Sequence, residues 1–248
     1  MSGNLVEQAK RSAAYAAVDK HVLPSVRVLG VGSGSTVVYA VDRLRELKSE
    51  GRLHPDLVCV PTSFQSKELI VGAGLRAADL DEQQEVDSQL NAIKGGGGAH
   101  LREKLVANAS RKLVLIADYR KDSEVLGEKW DKGIPLEVSP LAWRTIKRQL
   151  ERVTPLSHAR GITGAFELDH PVPVLRQAVR KAGPVVTDNG NFILDVCVGK
   201  IYDPIAVEQF LKMTPGVIEV GIFSNMAAEA WFGNEDGTIA SREPARAA

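Results

Sequence analysis

Apolar and polar positions along the chain fall into two periods. The first segment, "MSGNLVEQAKRSAAYAAVDKHV", alternates apolar and charged residues at helical spacing and reads as an amphipathic helix. "VRVLGVG" (Val26 to Gly32) is a short β-branched run ending in glycines, the signature of a strand. "TVVYAVDRLRELKSEG" returns to helical spacing, with Val37, Val38, Val41 and Leu44 on one face, and stops at Gly51. "LVCVPTS" predicts a second strand, "FQSKELIVGAG" a helix and "KLVLIAD" (Lys112 to Asp118) a third strand. The last is almost continuously apolar, as strands covered on both faces of a parallel sheet are. Strand, helix and strand in series predict an α/β layer of Rossmann-like type.

The pattern changes near Gly133. "IPLEVSP" reads as a strand and "LAWRTIKRQLERV" as a helix. "PVVTDNGNFILDVCV" reads as two strand-like runs around the turn "DNGN". "DPIAVEQFLKM" is a helix with Asp203 at the N-cap and Pro204 at its first position, and "GVIEVGIF" is a strand. This β-α-β-β-α-β order predicts a smaller ferredoxin-like α+β domain. The expected division is residues 1–135 plus 222–248 for the Rossmann-like domain and 136–221 for the smaller one.

Composition narrows the function. The chain has 248 residues, 44% hydrophobic and 25% charged, as ordinary globular proteins do. Lysine plus arginine number 31 and aspartate plus glutamate 31, so no net field favours nucleic acid or an anionic membrane. No apolar run reaches bilayer length. Cys59 and Cys197 lie in apolar strand-like runs, expected to be buried free thiols, and form no framework of disulfides or zinc ligands. A cytoplasmic location is expected.

Two glycine-rich stretches carry the candidate chemistry. "GVGSGST" (Gly30 to Thr36) stands where a strand hands over to a helix, a place where free backbone N–H groups and the helix dipole attract anions. Ser33, Ser35 and Thr36 add hydroxyls. Ser35 occupies the third glycine position of a dinucleotide fingerprint, which argues against an oxidoreductase. The competing reading is a tight turn with no ligand. "KGGGG" (Lys94 to Gly98) can curl its N–H groups into an anion nest beside a lysine; the alternative is a flexible linker. In "AHLREKLVA", Glu103 stands early on a helix, either as a general base beside that nest or as a solvated surface residue.

These blocks together resemble type A ribose-5-phosphate isomerases. "GSGST", "PTSFQSKELI", "NAIKGGGGAHLREKLVA", "IADYRKDSEVLG", "GIPLEVSP", "VVTDNGNFILD" and "PGVIEVGIF" follow that family's order over essentially the whole chain, closest in flavour to eukaryotic members. The resemblance implies a catalytic base at Glu103. It implies substrate contacts at Ser33, Gly34, Ser35, Thr36, Lys94, Gly95, Gly96, Gly97 and Lys121. It also implies a sugar-phosphate substrate, no cofactor or metal, and a homodimer. The family's D-G-A-D-E-(V/I)-D motif is absent before "LNAIKGGGG". Either a short strand and its aspartate loop are skipped, or an ungapped register leaves Asp81 and Gln84 at the aspartate positions. A skipped strand would open a gap in the parallel sheet or force new pairing. The incomplete aspartate pair raises a second reading, a sugar-phosphate-binding homologue with impaired catalysis.

Overall fold

A computed structural model describes residues 2–32, 34–77, 83–153, 162–168 and 170–244. In chain order the elements are α1 (Ser2–His21), β1 (Val28–Val31), α2 (Val37–Ser49), β2 (Val58–Pro61), α3 (Phe64–Gly72), β3 (Arg76–Ala77), β4 (Gln83–Val86), β5 (Ala92–Lys94), α4 (His100–Ala109) and β6 (Leu113–Asp118). A 3-10 turn (Tyr119–Lys121) follows. Then come β7 (Ile134–Val138), α5 (Trp143–Leu150), β8 (Val172–Leu175), β9 (Phe192–Cys197), α6 (Pro204–Lys212), β10 (Val217–Val220), β11 (Ile222–Phe223), β12 (Ala227–Gly233) and β13 (Ile239–Arg242). The chain forms two compact units, residues 1–82, 102–122 and 226–248 in the first and 83–101 with 123–225 in the second.

In the first unit β1, β2 and β3 are parallel neighbours, and β6 runs parallel to β12, which β13 flanks antiparallel. Among the described residues, β1 and β6 are each hydrogen-bonded on one side only. Among the described residues the parallel strands therefore lie in two separate ladders. Apolar packing joins these elements. Ala14 and Val18 of α1, Val31 of β1, Val41 and Leu44 of α2, Cys59 of β2 and Ile70 of α3 form one buried cluster, and Ile116 of β6 packs against it. The helical spacing seen in the sequence places Ala40, Val41, Leu44 and Leu47 on the buried face of α2. Burial pushes the Cys59 thiol up to about 11, whereas Cys197 is only partly buried, unlike the expectation for it.

In the second unit β7, α5, β8, β9, α6 and β10 build an antiparallel sheet in the order β10-β7-β9-β8, the ferredoxin-like arrangement. The N-cap is as expected: Asp203 accepts the Ala206 N–H at 3.0 Å, with Pro204 in the first turn. The strand before "DNGN" is not where the sequence pattern puts it. β9 pairs with Val172–Leu175, and residues 184–187 form no strand. Pro184 has no N–H to give a ladder, and Val185 N–H goes to the Arg176 carbonyl and Thr187 N–H to the Asn191 carbonyl instead of to a strand of the sheet. The turn itself forms, with Gly190 at φ 78°. Thr187, Asn189 and Asn191 all donate to Oε1 of Glu137, a fully buried carboxylate on β7.

A second small sheet, β11-β5-β4, carries the glycine run. Its residues and the loop after the 3-10 turn fall in the second unit, not with the first as the change near Gly133 suggested. The cause is local. Buried Glu85 of β4 accepts Ser123 Oγ at 2.9 Å, Gly127 N at 2.8 Å and Lys129 N at 3.0 Å, organising the loop around one carboxylate. "GVIEVGIF" is two strands, β10 and β11, parted at Gly221. A Cβ there would run into the Lys94 carbonyl and lie 2.9 Å from the Pro135 carbonyl. Gly221→Ala is expected to destabilise by about 1–3 kcal/mol through overpacking. Gly72→Ala, at the end of α3 with nothing near its Cβ, is expected to leave stability unchanged or raise it by up to about 1 kcal/mol. Urea unfolding of both variants checks the contrast; equal midpoints would refute it.

Candidate active site

The first unit supplies groups at the carboxyl ends of its parallel strands, where open α/β sheets bind ligands. β1 ends at Val31 and α2 begins at Val37, so the loop between them is short. Gly34 sits at φ 99°, a conformation that other residues seldom adopt. Its N–H donates to Gln65 Oε1 at 2.7 Å, so the first turn of α3 fixes the loop. That turn is itself fixed by a Ser63–Ser66 capping box. Thr36 occupies the N-cap of α2 yet makes no side-chain cap bond. Ser35 is exposed and Thr36 half-buried. Both hydroxyls therefore remain at an accessible helix start, which suits an anion. Ser33 and Asp81 lie outside the described residues, as does the side chain of Gln84.

At the end of β6, buried Asp118 organises the turn that carries Lys121. Its Oδ1 accepts the Arg120 N–H at 3.1 Å, and the Arg120 guanidinium grips both oxygens at 2.7 and 3.0 Å. Burial pushes the Asp118 carboxyl up. The bond and charge of Arg120, with Lys121 adding a smaller effect, outweigh it and hold the carboxyl below its ordinary value. Lys121 is half-buried.

The second unit holds the Lys94 stretch from several directions. Asp87 Oδ1 accepts the N–H of Gln89 and of Asn91 at 2.9 and 2.8 Å, and Oδ2 accepts Asn91 Nδ2 at 2.9 Å. This closes a tight turn in which Leu90 takes φ 64°. Asn91 Oδ1 in turn accepts the Asn225 N–H at 3.1 Å. Burial raises the Asp87 carboxyl above its usual value, although the bonds from Asn91 and Gln89 oppose the shift. Lys94 is 2% exposed, with Nζ 5.2 Å from the centre of the Phe223 ring, within cation–π range.

The glycines after Lys94 are ordered, not a linker. Gly95 has φ 96°, and a Cβ on it would fall within 2.8 Å of His100 ring atoms. Gly98 has φ 82° and returns its N–H to the Gly95 carbonyl at 3.0 Å. Gly96 is half-buried and Gly97 exposed, with open space where a Cβ would stand. The run is thus a tight turn with an accessible tip. α4 starts at His100 and carries the chain from the second unit to the first after Leu101. Glu103 lies in its first turn and is 1% exposed, not solvated. Two ionisable side chains nine positions apart in the chain are therefore both buried.

The comparison with known families decides the assignment. The family described as "Ribose 5-phosphate isomerase A (phosphoriboisomerase A)" matches residues 58–237. The chain belongs to the ribose 5-phosphate isomerase A family. It is 47% identical over 246 residues to the ribose-5-phosphate isomerase of Dictyostelium discoideum, covering 94% of this chain and 97% of that one. It is 44% identical over 247 residues to that of Homo sapiens, covering 96% of this chain and 74% of that one. Among solved structures, a D-ribose-5-phosphate isomerase in complex with phospho-erythronic acid superposes with a TM-score of 0.82 at 35% identity, covering 96% of this chain and 99% of that one. The isomerase of Plasmodium falciparum gives 0.81 at 31%, covering 96% and 98%. The α/β fold read from the sequence is that of these isomerase structures.

Sequence reading did not single out Asp87, Asn91, His100 or Asp118, which support the isomerase-type loops. Asp87 and Asn91 had a local signal, since an aspartate followed by an asparagine can bond its own turn. Asp118→Ala is expected to lose about 1 kcal/mol at neutral pH through the missing cap. Its carboxyl is depressed in the folded state. Its contribution is therefore full above the unfolded carboxylate value of about 3.9 and fades as pH falls through the lower folded value. Urea unfolding of parent and variant at neutral and strongly acidic pH checks this. A gap that widens on acidification would contradict it.

Proposed function

We propose that the chain interconverts D-ribose 5-phosphate and D-ribulose 5-phosphate, a step of the non-oxidative pentose phosphate pathway. The observation that carries the reading is the burial of Glu103, 1% exposed, on the helix that follows the glycine run. Glu103 is assigned as the base. Its carboxylate takes the proton from C2 of the open-chain aldose, leaving an enediolate, and returns it to C1 as the second proton moves between the two oxygens. Lys94 and the N–H groups of Gly95, Gly96 and Gly97 are assigned to anionic oxygens of the substrate. Ser33, Gly34, Ser35, Thr36 and Lys121 are assigned to substrate contacts, with the phosphate supplying binding energy away from the reacting carbons.

Phospho-erythronic acid, bound by a relative, is a sugar-acid phosphate whose planar carboxylate resembles an enediolate in charge. That likeness supports a site selective for the intermediate. The reading as a silent sugar-phosphate binder loses ground to relatives named as isomerases at 44–47% identity over nearly the whole chain. No helix among the described residues is long and apolar enough to cross a membrane. A cytoplasmic location and a homodimer belong to the same proposal. Both free cysteines fit the first, and family resemblance supports the second.

Glu103→Gln keeps the size of the side chain and removes the base. The parent is expected to isomerise ribose 5-phosphate, and the variant to lose about 10²–10⁴-fold in kcat with KM changed little. A folded variant within a few-fold of the parent would remove Glu103 from the mechanism. A folded parent with no turnover would overturn the function itself.

A further inference from the structure

We infer that Arg176 is a positioning residue that sets the direction and strength of the N–H donors in the glycine run. It rests on the proposed use of that run for substrate anions. Arg176 follows β8 and is mostly buried, its side chain 16% exposed. Nε donates to Asp195 Oδ2 at 2.7 Å and Nη2 to Asp195 Oδ1, a two-pronged grip on a carboxylate of β9. The remaining terminal nitrogen, Nη1, donates to the Gly95 carbonyl at 3.0 Å and the Gly96 carbonyl at 2.9 Å. One guanidinium therefore joins a sheet strand to two consecutive peptides of the turn.

The consequence follows from peptide geometry. A trans peptide is planar, with its C=O and the next N–H pointing in opposite directions. No cis peptide occurs among the described residues. Turning the Gly95 and Gly96 carbonyls toward Arg176 therefore turns the N–H groups of Gly96 and Gly97 away from it. Among the described residues no backbone carbonyl takes either N–H. Both belong to the accessible tip of the turn, where Gly97 is exposed. Two adjacent N–H groups aimed to one side form the smallest anion nest. A cationic donor on each carbonyl also polarises its peptide and strengthens the N–H on the other side.

Glycine makes this control necessary. Without side chains the run has many accessible backbone conformations, and a peptide flip would replace an N–H donor by a carbonyl oxygen that repels the substrate. Asp195 holds the guanidinium plane, so the donors are aimed before substrate arrives. Lysine cannot reproduce this, since a point charge cannot grip a carboxylate in two places and two carbonyls at once.

The test uses Arg176→Ala and Arg176→Lys in the full chain, with ribose 5-phosphate kinetics and amide NMR of Gly96 and Gly97. Both variants are expected to lose about 10- to 100-fold in kcat/KM, less than or comparable to removal of a transition-state donor. Lysine should not rescue despite its charge. Millimolar guanidinium should restore part of the activity to Arg176→Ala and none to Arg176→Lys. The Gly96 and Gly97 amide resonances should shift in both. Folded variants with kcat/KM within two-fold of the parent and unmoved amides would overturn the inference. If alanine abolishes folding, Arg176→Lys alone decides by the same two readouts. If the parent itself shows no turnover, the function reading falls, and the amide shifts still decide the clamp.

Discussion

The anchoring of the backbone from Asn91 to Gly98 is the constraint on which the second unit's chemistry depends. Four glycines in a row would ordinarily be the least ordered part of a chain, since each loses the most backbone freedom on folding. Here the segment is held at both ends and in the middle. Asp87 fixes Asn91 at the entrance, and the Lys94 N–H donates to the Gly221 carbonyl at 2.8 Å. Arg176 takes the Gly95 and Gly96 carbonyls, and the His100 ring occupies the space that a Cβ on Gly95 would need. The absence of side chains leaves the tip of the turn open, and under the proposed function a ligand oxygen would reach the backbone N–H groups there.

The first unit follows a different logic. Its candidate site residues stand at the carboxyl ends of parallel strands, where Ser35 and Thr36 lie at an accessible helix start. Among the described residues the parallel strands fall in two sheets, with β1 and β6 each paired on one side, and buried apolar contacts from α1, α2, α3 and Ile116 form one core. Packing in that core helps hold the loop after β1 and the turn after β6. The chain superposes on isomerase structures with TM-scores near 0.8.

Much of this was legible in the sequence because periodicity is local. α2 and α6 stand where helical spacing and cap residues put them, and β1, β2, β6 and β7 where apolar runs do. The strand before "DNGN" misled because Val185 and Val186 look β-forming while Pro184 removes a donor beside them, so β9 found its partner in Val172–Leu175 instead. The burial of Glu103 had no local sign, since its neighbours Arg102 and Lys104 suggest a surface helix. Arg176 was invisible for a plainer reason. It lies 80 positions from Gly96, and an arginine in "VLRQAV" carries no mark of the carbonyls it will meet.

The central claim is that one buried carboxylate moves a proton between adjacent carbons through an enediolate. The most direct measurement is to run the isomerisation of ribose 5-phosphate in deuterium oxide and read C1 of the ribulose 5-phosphate by proton NMR. A carboxylate that holds the proton between steps can exchange it with solvent, so the account predicts deuterium at C1, less than one full equivalent because Glu103 is buried. Product formed with no deuterium at C1, even after long equilibration, would mean direct hydride transfer and would contradict the account.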